Sequence, residues 1–459
     1  MERELLQVAR RFERWNASVR EHPVTPRLSE EALSARLDAH DFERPRALSA
    51  LIEEAAELLE EGSLHATHPR YFGLFVPGVT EAGVAADALA AVYNAQLGSW
   101  WHGPAAAHVE RRTLGFFRDR IGLPPSAFGA FTTGGSEANL TGVLAALSSA
   151  FPRHAEDGVA GARPTLYASD QAHDSFVKIA RTVGLGARAV RRVPSDGRQR
   201  MDVQALTAAV ARDRAHGETP FLAVATVGTT ATGAVDPLPQ IADVCGRERL
   251  WLHVDAAWGG IALLSEALRP LAAGIERADS VTWDAHKTLP IPMGAGMFFV
   301  RDRRFTERVF AVRTAYVPEA EGDTLDAYQQ TLQWSRRFIG LKVFLTLASL
   351  GRAGLERIVD RQAATADLLR RRLADDGWTI ANDTPLPLVC FRDGEAPPER
   401  TSALVRAVVG EGAVWISEVR LPDGRRWLRA CVTHADTGPD DVHALAEALC
   451  RARRRLVAA

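Results

Sequence analysis

The chain has 459 residues, 46% of them hydrophobic, and a formal net charge of -2. Nothing in that balance favours nucleic acid or an anionic membrane as a partner, and no apolar run reaches the roughly 18 residues needed to span a bilayer. The four cysteines, Cys245, Cys390, Cys431 and Cys450, are scattered without a CxxC pair. Neither a zinc site nor a disulfide framework is therefore expected, and no other metal site is expected. The opening MERELLQVARRFERW is charged and amphipathic, unlike a signal peptide, so a cytoplasmic protein is expected.

Residues 1 to about 65 read as amphipathic helices. The run LSALIEEAAELLEEG carries apolar residues at helical spacing and stops at a glycine. A Pro/Gly/aromatic segment follows, HATHPRYFGLFVPGVTEAG. From about 125 to 300, β-rich runs alternate with helical ones. The strand candidates are TLYAS, FLAVATVG, LWLHVD, DSVTW and GMFFV; SEANLTGVLAALSS and DVQALTAAVARDRA are helical stretches between them. This alternation predicts an α/β fold with a mainly parallel sheet wrapped by helices. Residues 301 to 330 are polar without a sustained pattern, as in a lid. A long helix over about 330–350 leads into a smaller α+β lobe. The expected division is a helical segment 1–65, a large α/β domain 66–330, and a linking helix with a small α+β domain 331–459.

In open α/β sheets, ligands sit outside the carboxyl ends of the strands, and three polar clusters fall at such ends. In TTGGSEANLTG, Gly134 and Gly135 allow a tight turn and Ser136 opens a helix with Glu137 in its first turn. The helix N-terminus suits a phosphate, although an ordinary capped turn reads the same way. In LWLHVDAAWGG, Asp255 ends an apolar strand before small residues. A carboxylate there suits a cationic ring nitrogen, or it caps the next turn. In SVTWDAHKTLPIPMGAG, Asp284, His286 and Lys287 follow a third strand. Lys plus Arg total 55, yet only Lys178, Lys287 and Lys342 are lysine. A lysine amine forms an imine with an aldehyde, as a guanidinium does not. A solvated surface lysine is the alternative, weakened by apolar flanks. A phosphate cradle, an acid for a ring nitrogen and an imine-forming lysine are together what pyridoxal phosphate requires.

Quoted as a set, HPRYFG, GGSEAN, SDQAHDS, VGTT, HVDAAWGG, DAHK, the SRR…LK stretch from Ser335 to Lys342, and LRACVTH resemble the group II pyridoxal-phosphate-dependent amino acid decarboxylases over roughly 60 to 440. The resemblance implies fold type I, with a mainly parallel seven-stranded sheet and a small C-terminal α+β domain. It implies that Lys287 carries the cofactor through an imine, that Asp255 pairs with the ring nitrogen and that His173 stacks on the ring. Gly135, Ser136 and His286 would approach the phosphate, and Thr230 the ring. Arg429 resembles an arginine that holds a substrate carboxylate; a surface ion pair is the alternative. Tyr328 is the candidate donor of a proton to Cα, with Tyr316 next, although a glutamate-decarboxylase alignment places Leu325 there. Without such a tyrosine, oxidative deamination to an aldehyde becomes a side activity.

Relative to the aromatic members, three large pocket positions fall on Ala66, Leu74 and Gly98, while Phe75 remains and Gln96 replaces an aliphatic residue. The pocket has thus lost aromatic walls without gaining an obvious cation, and a bulky or unusual aromatic L-amino acid would fit the extra room, with Phe75, Gln96 and Arg429 as substrate contacts. Acidic or other amino acid decarboxylation, aldehyde synthesis, transamination and lyase action on the same fold are the alternatives. The resemblance also implies a homodimer with a shared active site; Trp100 and Trp101 suit that interface, with an ordinary intrachain core as the alternative.

Overall fold

The computed structural model describes residues 2–159, 161–312, 314, 324, 326–394 and 396–458. Two compact units emerge. One comprises residues 79–364 and 382–388; the other comprises 1–78, 365–381 and 389–459.

The first unit is built on a seven-stranded sheet. Its strands are β1 (Phe128–Thr132), β2 (Pro164–Ser169), β3 (Val190–Val193), β4 (Thr219–Thr226), β5 (Trp251–Asp255), β6 (Ser280–Asp284) and β7 (Gly296–Val300), in the spatial order β1-β7-β6-β5-β4-β2-β3. β2 through β6 pair in parallel, and β7 runs antiparallel to both β6 and β1. β1 is therefore parallel to β6, and the sheet is mainly parallel as expected. β5, β6 and β7 are buried along their whole length, as a sheet covered on both faces requires.

The helices between strands follow local chemistry. Asp202 caps the helix Val203–Ala215, accepting the N–H groups of Gln204 and Ala205 at 2.8 and 3.0 Å. The helix Gly135–Ala150 contributes a face of small and apolar side chains to a buried cluster that includes Ala138, Val143, Ala146, Phe176, Leu222, Val224 and Phe298.

The long helix departs from expectation. It runs Gly340–Asp375 rather than 330–350, and breaks at Gly351, which adopts φ +63°. Residues 330–339 form no helix and are tied down by side chains: Gln333 Nε2 donates to the Glu137 carboxylate, and Arg336 pairs with Glu110. A helix beginning at 330 would break both.

The second unit contains a four-stranded sheet, β8 (Thr379–Ile380), β9 (Leu388–Arg392), β10 (Ser417–Arg420) and β11 (Arg426–Cys431), in the order β10-β11-β9-β8. Phe72, Leu369, Phe391, Leu428 and Leu445 belong to its core. The N-terminal helices Glu2–Ser18, Glu30–Asp38 and Leu48–Gly62 belong to this unit, and the last ends at Gly62 as the sequence predicts. No described helix is long and apolar enough to cross a membrane.

Candidate active site

Because β1, β2, β4, β5 and β6 are parallel, their carboxyl ends share one edge of the sheet. Gly134–Ser136 follow β1, His173 follows β2, Thr229 and Thr230 follow β4, Asp255 ends β5, and His286 and Lys287 follow β6. Gly296 opens β7 at the same edge, opposite Thr132 and Asp284. The fold thus gathers seven of the expected residues from distant points in the chain: Gly135, Ser136, His173, Thr230, Asp255, His286 and Lys287.

Side chains alternate along a strand, so Trp251, His253 and Asp255 share one face of β5, and Ser280, Thr282 and Asp284 share one face of β6. Register places His253 opposite Ser280 and Asp255 opposite Thr282. Asp255 is buried, and both its oxygens accept hydrogen bonds. Oδ1 takes the Ala257 N–H and Oδ2 takes Asn139 Nδ2, each at 3.0 Å. Both of these contacts bring a donor to the carboxylate. Asn139 Nδ2 also reaches Ser175 Oγ at 3.2 Å, and the Ser175 N–H donates to His173 Nδ1 at 3.1 Å. His173 is itself exposed, its ring available to a ligand.

Beyond β6, Lys287 Nζ lies 3.1 Å from Asp284 Oδ2, with the lysine side chain one-quarter exposed and the aspartate buried. The same oxygen accepts the Gly135 N–H at 3.0 Å. Gly135 must be glycine for this approach: a Cβ there would stand 2.7 Å from Asp284 Oδ2. His286 is buried, and its Nδ1 accepts the Ala295 N–H at 3.0 Å. Burial pushes its pKa below the usual histidine value, against the pull of Asp284, so the ring is neutral with Nε2–H as its donor. Thr229 is spent internally, its hydroxyl bonded to Thr232 and accepting the Ala234 N–H, whereas Thr230 is exposed at the edge.

Tyr328 is buried, its ring stacked on Trp334 at 4.7 Å and its hydroxyl oxygen accepting from Gln329 Nε2 at 3.1 Å. Its N–H donates to the Gly98 carbonyl. Tyr316 and Leu325 lie outside the described residues. Gln96 is occupied at both ends, Oε1 accepting the Gly98 N–H and Nε2 donating to Ser335 Oγ. Gly98 cannot carry an aromatic ring, since a Cβ would meet the Trp334 carbonyl at 2.4 Å.

In the other unit, Arg429 and Phe75 come together. The buried guanidinium lies 5.0 Å over the Phe75 ring, and Nη1 donates to the Gly73 carbonyl at 3.1 Å and to Ser417 Oγ. Its Nε and Nη2 are buried without a hydrogen-bond partner among the described residues. The surface ion pair weighed for Arg429 is therefore not its situation. Leu74 is half exposed.

Sequence reasoning gave Asn139 and His253 no role, and noted Asp284 without assigning it one. For His253 and Asp284 the signal was present: a polar side chain at alternate positions of a buried strand requires a partner.

These groups suit pyridoxal phosphate. An anionic buried carboxylate, an accessible amine and the N-terminus of a sixteen-residue helix share one edge, with a neutral histidine beside the glycine turn. The model of the pyridoxal-dependent decarboxylase conserved domain matches residues 31–393. The chain belongs to that family. The decarboxylase is 30% identical to an aromatic-L-amino-acid decarboxylase of Bacillus atrophaeus over 390 residues, 82% of this chain and 80% of the relative. It is also 30% identical to an L-2,4-diaminobutyrate decarboxylase of Rhizobium meliloti over 419 residues, 89% and 83% of the two chains. Among solved structures it is similar to the Oryza sativa TDC with PLP and tryptamine, with TM-score 0.94, 26% identity, and 99% and 98% of the two chains covered. The decarboxylase is thus a pyridoxal-phosphate-dependent carboxy-lyase acting on an amino acid.

Proposed function

We propose that the enzyme converts an aromatic L-amino acid to its amine and carbon dioxide. The observation that carries the assignment of roles is the shared strand edge, where the buried Asp255 carboxylate accepts two N–H donors and Lys287 presents an accessible amine. Lys287 would hold the cofactor's aldehyde carbon and Asp255 its ring nitrogen. His173 and Thr230 would line the ring, and the helix N-terminus at Gly135 and Ser136, with His286, would receive the phosphate. Once bound, the cofactor supplies an electron sink for the pair left on Cα. Asp255 serves that sink by keeping a proton on the ring nitrogen. Tyr328 and Tyr316 are the proposed donors of the proton that Cα then needs. The aromatic preference is supported by the similarity to the Bacillus atrophaeus and Oryza sativa proteins.

A second reading is favoured by Arg429. Its Nε and Nη2, buried and without a hydrogen-bond partner among the described residues, would suit a carboxylate. Gripping the departing carboxylate would stabilise a charge that vanishes in the reaction, so such a contact serves better on an acidic side chain. A decarboxylase of cysteine sulfinic acid from Mus musculus is 34% identical over 335 residues, 72% of this chain and 68% of the relative. Product analysis by mass spectrometry, with all common amino acids, cysteine sulfinate and several aromatic analogues, separates the two. Amine and carbon dioxide from aromatic substrates support the first reading; turnover confined to acidic substrates replaces it with the second. Aldehyde with ammonia and peroxide, or dependence on a keto acid, would overturn both.

We also propose a homodimer with a shared active site. Leu89, Val92 and Tyr93 stand exposed at the end of one helix, Tyr93 by 79%, and Trp101 is half exposed beside Trp100. Apolar side chains gathered this way usually mark a contact surface. Light scattering at micromolar concentration should give twice the chain's 49.9 kDa.

A further inference from the structure

Five side chains beneath the strand edge form one hydrogen-bonded series. Trp251 Nε1 lies 2.8 Å from Ser280 Oγ, Ser280 Oγ 2.8 Å from His253 Nδ1, His253 Nε2 3.0 Å from Asn139 Oδ1, and Asn139 Nδ2 3.0 Å from Asp255 Oδ2. Trp251, His253 and Asp255 are alternate residues of β5, Ser280 faces them from β6, and Asn139 descends from the covering helix. All five are buried.

The two ends of this series fix its direction. An indole N–H can only donate, so Ser280 Oγ accepts from Trp251 and gives its own proton to His253 Nδ1. His253 then carries its proton on Nε2 and gives it to Asn139 Oδ1. Asn139 is left with its N–H₂ toward Asp255, which as an anion can only accept. The second N–H of Asn139 goes to Ser175 Oγ, so reversing the amide would break three contacts at once. Burial pushes the His253 pKa down to about 4, so the ring stays neutral and able to accept at Nδ1. Thr282 Oγ1 also lies near Nε2, at the longer distance of 3.4 Å. Gly142 makes the approach possible: a Cβ there would stand 2.6 Å from His253 Nδ1 and Cε1.

We propose that His253 is a positioning residue: through Asn139 it directs a fixed donor at Asp255, so that the carboxylate stays anionic and the proton it shares with the cofactor stays on the ring nitrogen. The inference rests on the reading that Asp255 faces that nitrogen. Replacing His253 with phenylalanine keeps an aromatic ring at that position but removes the donor to Asn139 Oδ1, so the amide is aimed at Asp255 only by its own N–H contacts.

The test is binding of two cofactors to the cofactor-free protein, followed by absorbance. One is pyridoxal phosphate; the other is an analogue with C–H in place of the ring nitrogen. His253→Phe should weaken pyridoxal phosphate about tenfold, the usual worth of one hydrogen bond to a charged group, and the analogue less than twofold. Ser280→Ala, a smaller change, should give the same selective loss at about threefold, and replaces His253→Phe should that variant not fold. Equal weakening of both cofactors, or of neither, overturns the proposal. Asp255→Ala distinguishes the underlying reading. If it too lacks selectivity, Asp255 does not face the nitrogen and both statements fall. If it is selective while His253→Phe and Ser280→Ala are not, only the positioning role falls.

Discussion

Asp284 Oδ2 is shared between Lys287 Nζ at 3.1 Å and the Gly135 N–H at 3.0 Å, which ties the lysine proposed to form the imine to the glycine turn proposed to receive the phosphate through one buried atom. Asp284 Oδ1 has no hydrogen-bond partner among the described residues, so the lysine is the carboxylate's main compensation. Lys287→Ala should therefore do more than abolish the yellow colour. It should destabilise the cofactor-free protein by about 2 kcal/mol, because a buried carboxylate loses its counter-charge. Adding Asp284→Asn to that variant should recover part of the loss, since an amide oxygen still serves Gly135. Urea unfolding of the two variants measures this; a double variant less stable than Lys287→Ala would refute it.

A second buried pair lies at Glu110 and Arg336, joined by two hydrogen bonds of 3.0 and 2.6 Å. Glu110 also accepts the Gly340 N–H at 3.0 Å, so the pair sets where the long helix begins. Glu110→Gln leaves a buried guanidinium without its anion and should cost about 3 to 5 kcal/mol. Replacing both residues by leucine and methionine should be milder than the single change. The thermal midpoint of each variant decides the ranking.

The donor of the Cα proton is open to a paired test. Tyr328→Phe preserves the stacking on Trp334 and loses only the hydroxyl held by Gln329. The variant among Tyr328→Phe and Tyr316→Phe that removes the donor should lose at least about a hundredfold in amine formation. It should also divert substrate to aldehyde, measured by mass spectrometry. Full amine yield from both variants would show that no tyrosine of this pair acts.

His253 predicts a pH dependence of stability. Its folded pKa of about 4 lies below the usual 6.5, so the depressed ring stays neutral while the unfolded chain takes up a proton. The contribution is intact above pH 6.5 and falls as pH drops from 6.5 toward 4, by about 3 kcal/mol in total. Urea titrations at pH 7.5, 6 and 5 should show that decline, and His253→Phe should flatten it. An unchanged slope in the variant would assign the acid sensitivity elsewhere.

Much of this enzyme was legible in its residues. The runs TLYAS, FLAVATVG, LWLHVD, DSVTW and GMFFV all became strands, because short runs rich in apolar and β-branched side chains between turn residues have few other folds. Gly62 stopped its helix for equally local reasons. The chemistry of the edge was readable as well, since Lys287, Asp255 and the Gly134–Ser136 turn have side chains or backbone suited to one cofactor. β1 and β3 escaped notice. Phe128–Thr132 has a glycine and an alanine in its interior, and Val190–Val193 has two arginines at its centre, so each is a strand only because a neighbour pairs with it.

What the residues determined alone is therefore the type of fold and the kind of reagent gathered on it, because both depend on short-range preference and functional-group chemistry. What only the tertiary structure decided is which groups are already engaged and in which direction. Gln96 is spent on Gly98 and Ser335, Arg429 covers Phe75 with two nitrogens lacking a partner among the described residues, and His253 points its proton at Asn139. Hydrogen-bond direction belongs to a closed set of partners, and those partners meet only when strand register and helix packing bring residues far apart in the chain within 3 Å.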